Sequence, residues 1–335
     1  MIEYQDSNVN YSIIISYRNR ESHLSMLLPK LAEVFNGKSY EIIIAEQDND
    51  EKFQKNSLYN LAAQKSKGEL LIFHDVDYYP TDNVSYDTTC DVPLYPINNV
   101  IFLDENNQQR KISDIPNGYQ NFHITVGDHS GGVFVIHRDL FYKMNGFNPY
   151  YVGWGKEDDD TRDRLRLLGY KWKRNTDGTF LGLYHTDNKP ADNDNDFINN
   201  HYLLANLKNT LDLGYKQVTA EVNEYDADGV RWLKIKNFKY ENENIQKEYS
   251  YLLDIVFNEL KISLTDYDEL LHINQLLWEI EDDIRVKEKN AEFDNQFIEL
   301  ARLVYITNDK RADTKKQINE KYGSEFREEK SYAKY

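Results

Sequence analysis

A single cysteine, Cys90, stands among 335 residues. No disulfide can close within the chain, and a reducing compartment is the expectation. Residues 1–10 carry no apolar stretch of the signal-peptide kind, so no secretory leader is expected. Nowhere does a run approach about 20 apolar residues, which excludes a membrane-spanning helix. Basic residues are in deficit: 40 Lys and Arg against 57 Asp and Glu leave a net charge of −17. Binding to a phosphate backbone needs a basic face, so nucleic acid is excluded as a general partner. An anionic ligand bridged by a metal is not. Internal repeats and low-complexity tracts are also missing. Cytoplasmic placement is the expectation, with peripheral contact at the inner face of the membrane as its extension. The length allows one large domain and a smaller one.

What is present is acidic and aromatic. Tyr is abundant, 26 of 335. Tyr serves sugar recognition by stacking and hydrogen bonding, although an AT-rich genome produces the same excess. More pointed is Gly153-Trp154-Gly155-Lys156-Glu157-Asp158-Asp159-Asp160. Four consecutive carboxylates repel and raise one another's pKa values. A fold tolerates that where a cation, a polar ligand or a reaction uses it. A second acidic pair, Asp75-Val76-Asp77, ends an apolar run.

The first 80 residues alternate strand and helix. Strands are expected at 11–16, 41–45 and 69–74, and helices at 21–35 and 53–65. Continuous apolar strands separated by helices imply a parallel sheet covered on both faces. Ligands of such sheets bind at the carboxyl ends of the strands, where Asp75 and Asp77 fall. Further strands are expected at 99–103, 132–137 and 180–185, the last delivering His185 at its end. A short helix is expected at 138–144, and a longer one runs from Glu157 to Leu168, stopped by Gly169. Residues 215–236 read as a hairpin turning at Asp226-Ala227-Asp228-Gly229. Helices follow at 242–259, 267–287, 294–305 and 310–321, so the domains are set at 1–237 and 238–335.

Three readings of these residues concern chemistry. Asp75 and Asp77, two apart, project to one side of an extended backbone and can grip a hard divalent cation such as Mg or Mn. Alone, such a pair is most often a solvated turn. His185 would favour Mn over Mg, though a lone strand-end histidine is more often hydrogen-bonded structure. Glu157 and Asp158 open a helix where a turn can fix a general base, yet acidic residues suit any helix start. Trp154 offers a flat face to a sugar, and Gly153 and Gly155 would let the loop swing as a lid. Arg18 and Arg20 are candidates for diphosphate or uracil contact, and Gly131-Gly132 for close backbone approach.

Their order along the chain resembles the β-1,4-galactosyltransferases and their bacterial relatives. The elements are Tyr17-Arg18-Asn19-Arg20; Gln47, Phe53, Lys55, Leu58 and Asn60; Asp75-Val76-Asp77; Gly131-Gly132-Val133; Asn145-Gly146-Phe147; the Gly-Trp-Gly-x-Glu-Asp-Asp-Asp run; and His185. The likeness covers roughly residues 11–236. It implies an α/β, GT-A fold, a Rossmann-like mixed sheet flanked by helices, here followed by a C-terminal helical domain. It also implies a UDP-sugar donor, Mn2+ (or Mg2+), and inversion at the anomeric carbon. By the same resemblance Asp77 and His185 bind the metal with Asp75 close by. Asp158 is the base, and Glu157 holds a sugar. Arg18, Arg20, Phe53, Lys55, Asp75 and Gly132 hold the donor, while Trp154, Gly153, Gly155 and Asp159 serve the acceptor and lid.

The chain departs from the family at Gly182, where animal members often have methionine. It also departs at His129-Ser130, in place of an aromatic pair, and at Lys156, in place of a small residue. Donor identity is therefore open among galactose, N-acetylgalactosamine and related hexoses. The expected acceptor is a glycan, free or lipid-linked, in bacterial capsule or lipopolysaccharide synthesis. A catalytically inactive sugar- or nucleotide-binding protein and a metal-dependent phosphoesterase are the competing classes. Acceptor-dependent release of UDP separates the first class from both.

Residues 265–335 resemble a helical module of bacterial polysaccharide-related proteins. A bundle or a homo-oligomer contact, with Trp278, Ile284, Phe297 and Leu300 as its core, is the expectation there.

Overall fold

The computed structural model describes residues 9–110, 131–153, 155–185, 200, 203–204, 210–241, 251–252 and 255–324. The chain divides into two compact units, Met1–Gln246 and Lys247–Tyr335. No helix among the described residues is long and apolar enough to cross a membrane.

The first unit begins with β1 (Tyr11–Tyr17), α1 (Glu21–Val34), β2 (Tyr40–Gln47), α2 (Lys55–Lys65) and β3 (Leu70–Asp75). β1 lies between β2 and β3, parallel to both. Side chains of a strand alternate between faces, and all three isoleucines of β1 are fully buried. Ile14 enters one core with Leu58, Phe73 and Phe141. Ile13 and Ile15 enter the other with Leu24, Leu27 and Leu31 of α1. A strand buried on both faces reads as a continuous apolar run, which is why Ile13-Ile14-Ile15 shows no alternation.

After β4 (Tyr78–Pro80), β5 (Leu94–Tyr95) and β6 (Asn99–Phe102), the chain enters β7 (Val133–His137) and α3 (Arg138–Lys143). Next come α4 (Glu157–Leu167), β8 (Lys173–Arg174), β9 (Thr179–Gly182), β10 (Val218–Ala227) and β11 (Val230–Tyr240). The main sheet has the order β10-β11-β2-β1-β3-β7-β5-β8, and β4-β9-β6 form a second, smaller sheet. The main sheet is mixed. β11, β2, β1 and β3 are parallel, while β7 runs antiparallel to β3 with Val133 opposite His74. The start of β7 and the end of β3 therefore meet at one edge, and Asp75 N–H donates to Gly132 O at 2.8 Å.

Several elements differ from expectation. β9 stops at Gly182, so His185 follows the strand in coil rather than ending it. Leu183 N–H still donates to Asp77 O at 2.8 Å, which keeps the chain beside Asp77. The hairpin turns at Asp228-Gly229, both with positive φ, and its second strand extends to Tyr240, past residue 237. Two left-handed central residues are what a tight hairpin needs.

In the second unit, α5 (Leu264–Lys289) and α6 (Asn295–Lys321) form an antiparallel pair. Lys321 of α6 reaches Asp266 of α5, and the Tyr322 hydroxyl accepts from Ser263 N–H, so the end of one helix meets the start of the other. The helices expected at 294–305 and 310–321 are one, since residues 306–309 contain neither Gly nor Pro. Most of the helix expected at 242–259 lies outside the described residues. Leu277 and Ile280 are buried, whereas Trp278 is 65% exposed and is not core. Leu277, Ile280 and Ile284 share one face at spacings of three and four; Trp278, one residue on, turns about 100° away from Leu277.

Candidate active site

Three loops at the carboxyl edge of the parallel strands build the site. Gln47, at the end of β2, is 2% exposed. Its Nε2 donates to Asn49 Oδ1 (2.7 Å), Glu51 O and Lys52 O (both 3.1 Å), and its Oε1 accepts from Gln54 N–H (2.9 Å). One buried amide thus folds residues 48–54 into a compact loop that presents Phe53 and Lys55. Arg18 donates to Asn49 O and Glu51 O, and its guanidinium lies 5.4 Å from the centroid of the Phe53 ring. Arg18 and Phe53 thus pack together on one side of this loop. Arg20 occupies the N-cap position of α1 and makes no side-chain capping hydrogen bond there.

Lys55 stands among carboxylates. Its ammonium stands 2.7 Å from Glu157 Oε1, 3.5 Å from Asp75 Oδ2 and 3.8 Å from Asp158 Oδ1. Burial works against this charge, but the carboxylates outweigh it and hold Lys55 well above the ordinary lysine range. Asp75 accepts from the Tyr59 hydroxyl at 2.8 Å. Burial raises the Asp75 carboxyl, Lys55 opposes the shift, and Asp77 adds to it. Burial, then the neighbouring Glu157, push Asp158 up to about 7. Lys55, Tyr59, Asp75, Gly132 and Asp158 line one cleft. Gly132 has φ +82°, and a Cβ there would sit 2.8 Å from the Tyr78 ring. Only glycine lets that ring close on the backbone.

The loop before α4 is fixed at Gly153, whose N–H donates to Phe53 O at 3.1 Å. Gly153, Gly155 and Lys156 all have positive φ. Trp154 lies outside the described residues. Each helical residue turns about 100°, so the four acids diverge. Glu157 and Asp158 face Lys55. Asp159 pairs with Arg162 and, at 3.3 Å, with Lys156 rather than facing Lys55. Asp160, 0% exposed, accepts from Arg164 Nε at 2.6 Å. Arg164 also donates to Met144 O and Gly146 O, so Asp160 and Arg164 pin α4 to the Asn145-Gly146-Phe147 turn. Asn60 secures the same turn, donating to Phe147 O and accepting from Phe147 N–H.

Asp77 and His185 meet directly: Nε2 is 3.2 Å from Asp77 Oδ2. Adjacent ligands of an octahedral Mg2+-like cation, each about 2.1 Å from it, stand about 3 Å apart. An imidazole and a carboxylate at this spacing fit one edge of such a site. Among the described residues no group of three or more His, Cys, Asp or Glu could hold a metal. Among the described residues, Asp77 and His185 are the two that would supply ligands at this edge.

Sequence reasoning missed Tyr59 and Tyr78. Tyr59 follows Lys55 by four residues, the spacing that shares a helix face, so that pairing was legible. Tyr78 adjoins Asp77, but its closure onto Gly132 is a tertiary contact.

Residues 5–91 match the family model described as the N-terminal region of glycosyl transferase group 7, and residues 117–186 match that of the N-terminal domain of galactosyltransferase. The chain is galactosyltransferase-like, of the glycosyl transferase group 7 type. It is 32% identical over 186 residues to β-1,4-galactosyltransferase 4 of Cricetulus griseus, covering 53% of this chain and 49% of that protein. To β-1,4-galactosyltransferase 5 of Homo sapiens it is 28% identical over 246 residues, covering 64% and 58%. The chain spans about half the length of the curated relatives it matches. Among solved structures it resembles the catalytic domain of Drosophila β1,4-galactosyltransferase 7 in complex with xylobiose. The TM-score is 0.52 at 20% identity, covering 72% of this chain and 98% of that one. A mutant of that protein in complex with manganese, UDP-Gal and xylobiose gives 0.53 at 19% identity, covering 72% and 99%. These likenesses show the fold, a GT-A-type mixed sheet flanked by helices.

Proposed function

We propose that this galactosyltransferase-like chain is an inverting, metal-dependent hexosyltransferase. It moves galactose, N-acetylgalactosamine or a related hexose from a UDP-sugar to a hydroxyl of a glycan acceptor. The observation that carries the reading is Asp158: a carboxyl raised to about 7, in a cleft shared with Asp75, Lys55 and Gly132. A general base works best with a pKa near the working pH.

In this reading the acceptor oxygen attacks the anomeric carbon from the face opposite the diphosphate. The new carbon–oxygen bond forms as the bond to the diphosphate oxygen breaks. Asp158 takes the hydroxyl proton, and the electron pair leaves with UDP. Attack from the opposite face inverts the centre. Arg18, Arg20 and Phe53 hold the nucleotide, and Glu157 and Asp75 orient sugar hydroxyls. Trp154, Gly153 and Gly155 form the acceptor lid. Asp77 and His185 would hold Mn2+, or Mg2+, which when bound neutralises charge on the diphosphate. The Drosophila relative with manganese, UDP-Gal and xylobiose supports the choice of ligands.

The setting we propose is synthesis of a bacterial capsule, lipopolysaccharide or similar glycan on the cytoplasmic side. A lipid-linked acceptor would bring the enzyme to the membrane surface, and the C-terminal helices would provide self-association. The test is a panel of UDP-sugars with acceptor glycans, with Mn2+ or with chelator, read as released UDP. Mn2+-dependent release from one donor, lost in Asp158→Asn and Asp77→Ala, is the expected result. No UDP binding with or without metal would overturn the donor assignment.

A further inference from the structure

His23 has no part in the reaction above, yet it stands beside the Asp77–His185 pair. It comes from the first turn of α1 and is 7% exposed. Its Nε2 is 2.9 Å from Tyr184 O. A carbonyl only accepts, so Nε2 carries the hydrogen and Nδ1 the lone pair. That Nδ1 is buried and has no hydrogen-bond partner among the described residues.

His185 has the complementary deficit. Its Nε2 faces Asp77, while its Nδ1 is buried and likewise without a partner among the described residues. A neutral histidine that offers its Nε2 lone pair to a cation carries its hydrogen on Nδ1. Such ligands almost always donate that hydrogen to an outer partner, which fixes tautomer and ring orientation. The two rings are neighbours, with centroids 6.4 Å apart and planes at 64°. With a cation at Nε2, His185 therefore lacks an acceptor for its Nδ1–H, and His23 lacks a donor to its Nδ1.

We propose that His23 is a positioning residue of the cation site. With centroids 6.4 Å apart the two Nδ1 atoms are too far for a direct bond; one water accepts the Nδ1–H of His185 and donates to His23 Nδ1, and so presents the His185 Nε2 lone pair to the cation beside Asp77. The bond from His23 to Tyr184 O ties the preceding residue to α1 and holds the two rings in place. This inference rests on reading Asp77 and His185 as cation ligands.

Two side chains separate the roles of the two His23 nitrogens. Asparagine can put an acceptor where Nδ1 lies but does not reach Tyr184 O. Glutamine can reach Tyr184 O but offers nothing at Nδ1. The experiment titrates the full chain with Mn2+ in the presence of UDP, reading free Mn2+ by electron paramagnetic resonance. His23→Ala should weaken Mn2+ binding by about 10- to 100-fold. His23→Asn should recover most of the loss, and His23→Gln should not. Recovery by Gln alone, or no loss in Ala, overturns the proposal. Asp77→Ala and His185→Ala distinguish the layers. If both lose Mn2+ while His23→Ala keeps it, only the role of His23 fails; if neither loses it, the cation-site reading fails first. A measurement on the unaltered chain needs no variant to fold. Imidazole 15N shifts should show His23 with its hydrogen on Nε2 and its lone pair on Nδ1, and a hydrogen on His23 Nδ1 overturns the proposal.

Discussion

Lys55 Nζ lies 2.7 Å from Glu157 Oε1, and each residue opens its helix, α2 and α4 respectively. A cation is unfavourable at a helix N-terminus, where the dipole favours anions. Glu157, Asp75 and Asp158 supply the compensating charge, so the contact ties the start of α2 to the start of α4 and the end of β3. Replacing Lys55 with Met leaves those carboxylates without their cation. The Asp158 carboxyl should then rise above about 7, and the ascending limb of kcat/KM against pH should move to higher pH. At pH 7 the rate should fall roughly tenfold for each unit of that displacement. A limb that stays in place would show that Lys55 does not set the base.

Asp158→Asn should reduce kcat by about 10²- to 10⁴-fold, the usual worth of a general base, while the fold persists. Stability carries a second signature. The folded carboxyl, at about 7, holds its proton more tightly than the unfolded one, near the ordinary carboxylate value of about 4. Between those values the folded state binds more protons, so stability falls as pH rises. Asp158→Asn removes that contribution. Denaturant midpoints should therefore gain more from the substitution at pH 8 than at pH 5.

Asp160 and Arg164 make a different prediction, because both are fully buried and pair at 2.6 Å. Arg164→Met leaves a buried carboxylate without its partner. Breaking such a pair costs about 3–5 kcal/mol, readable as a lowered melting temperature. Asp160→Asn with Arg164→Met should cost less than the two single changes added together. Additive losses would show that the two act independently.

Gly132→Ala meets two obstacles: φ of +82° and a Cβ 2.8 Å from the Tyr78 ring and from Ile97 Cδ1. The left-handed backbone alone costs an L-residue about 1–2 kcal/mol, and overpacking about 1–3 kcal/mol more. Adding Tyr78→Ala should relieve part of the steric component and none of the backbone component. Chemical denaturation of the single and double variants checks this.

Much of the first unit is legible without coordinates. The β-branched runs, the helix between Glu21 and Val34, the Asp228-Gly229 turn and the placement of Asp75 at a strand end all follow from periodicity and local turn chemistry. The end of β9 is less legible. Pairing stops at Gly182, opposite Tyr78 on one side and Phe102 on the other, and no local signal marks that limit. Trp278 shows the same limit in α5, since the α6 face alone decides which stripe is buried.

The amino-acid sequence by itself determined the order of strands and helices in the first unit and the edge at which the site would form, because both are written in short-range pattern: continuous apolar runs for strands buried on both faces, period 3.6 in helices, and acids following an apolar run. Only the tertiary structure decided how the acids divide their work. Glu157 and Asp158 turn to Lys55, Asp159 to Arg162, and Asp160 to Arg164. It also decided that His23 stands beside His185. Four adjacent carboxylates look alike in a sequence; their protonation and partners depend on burial and on charges brought from other elements.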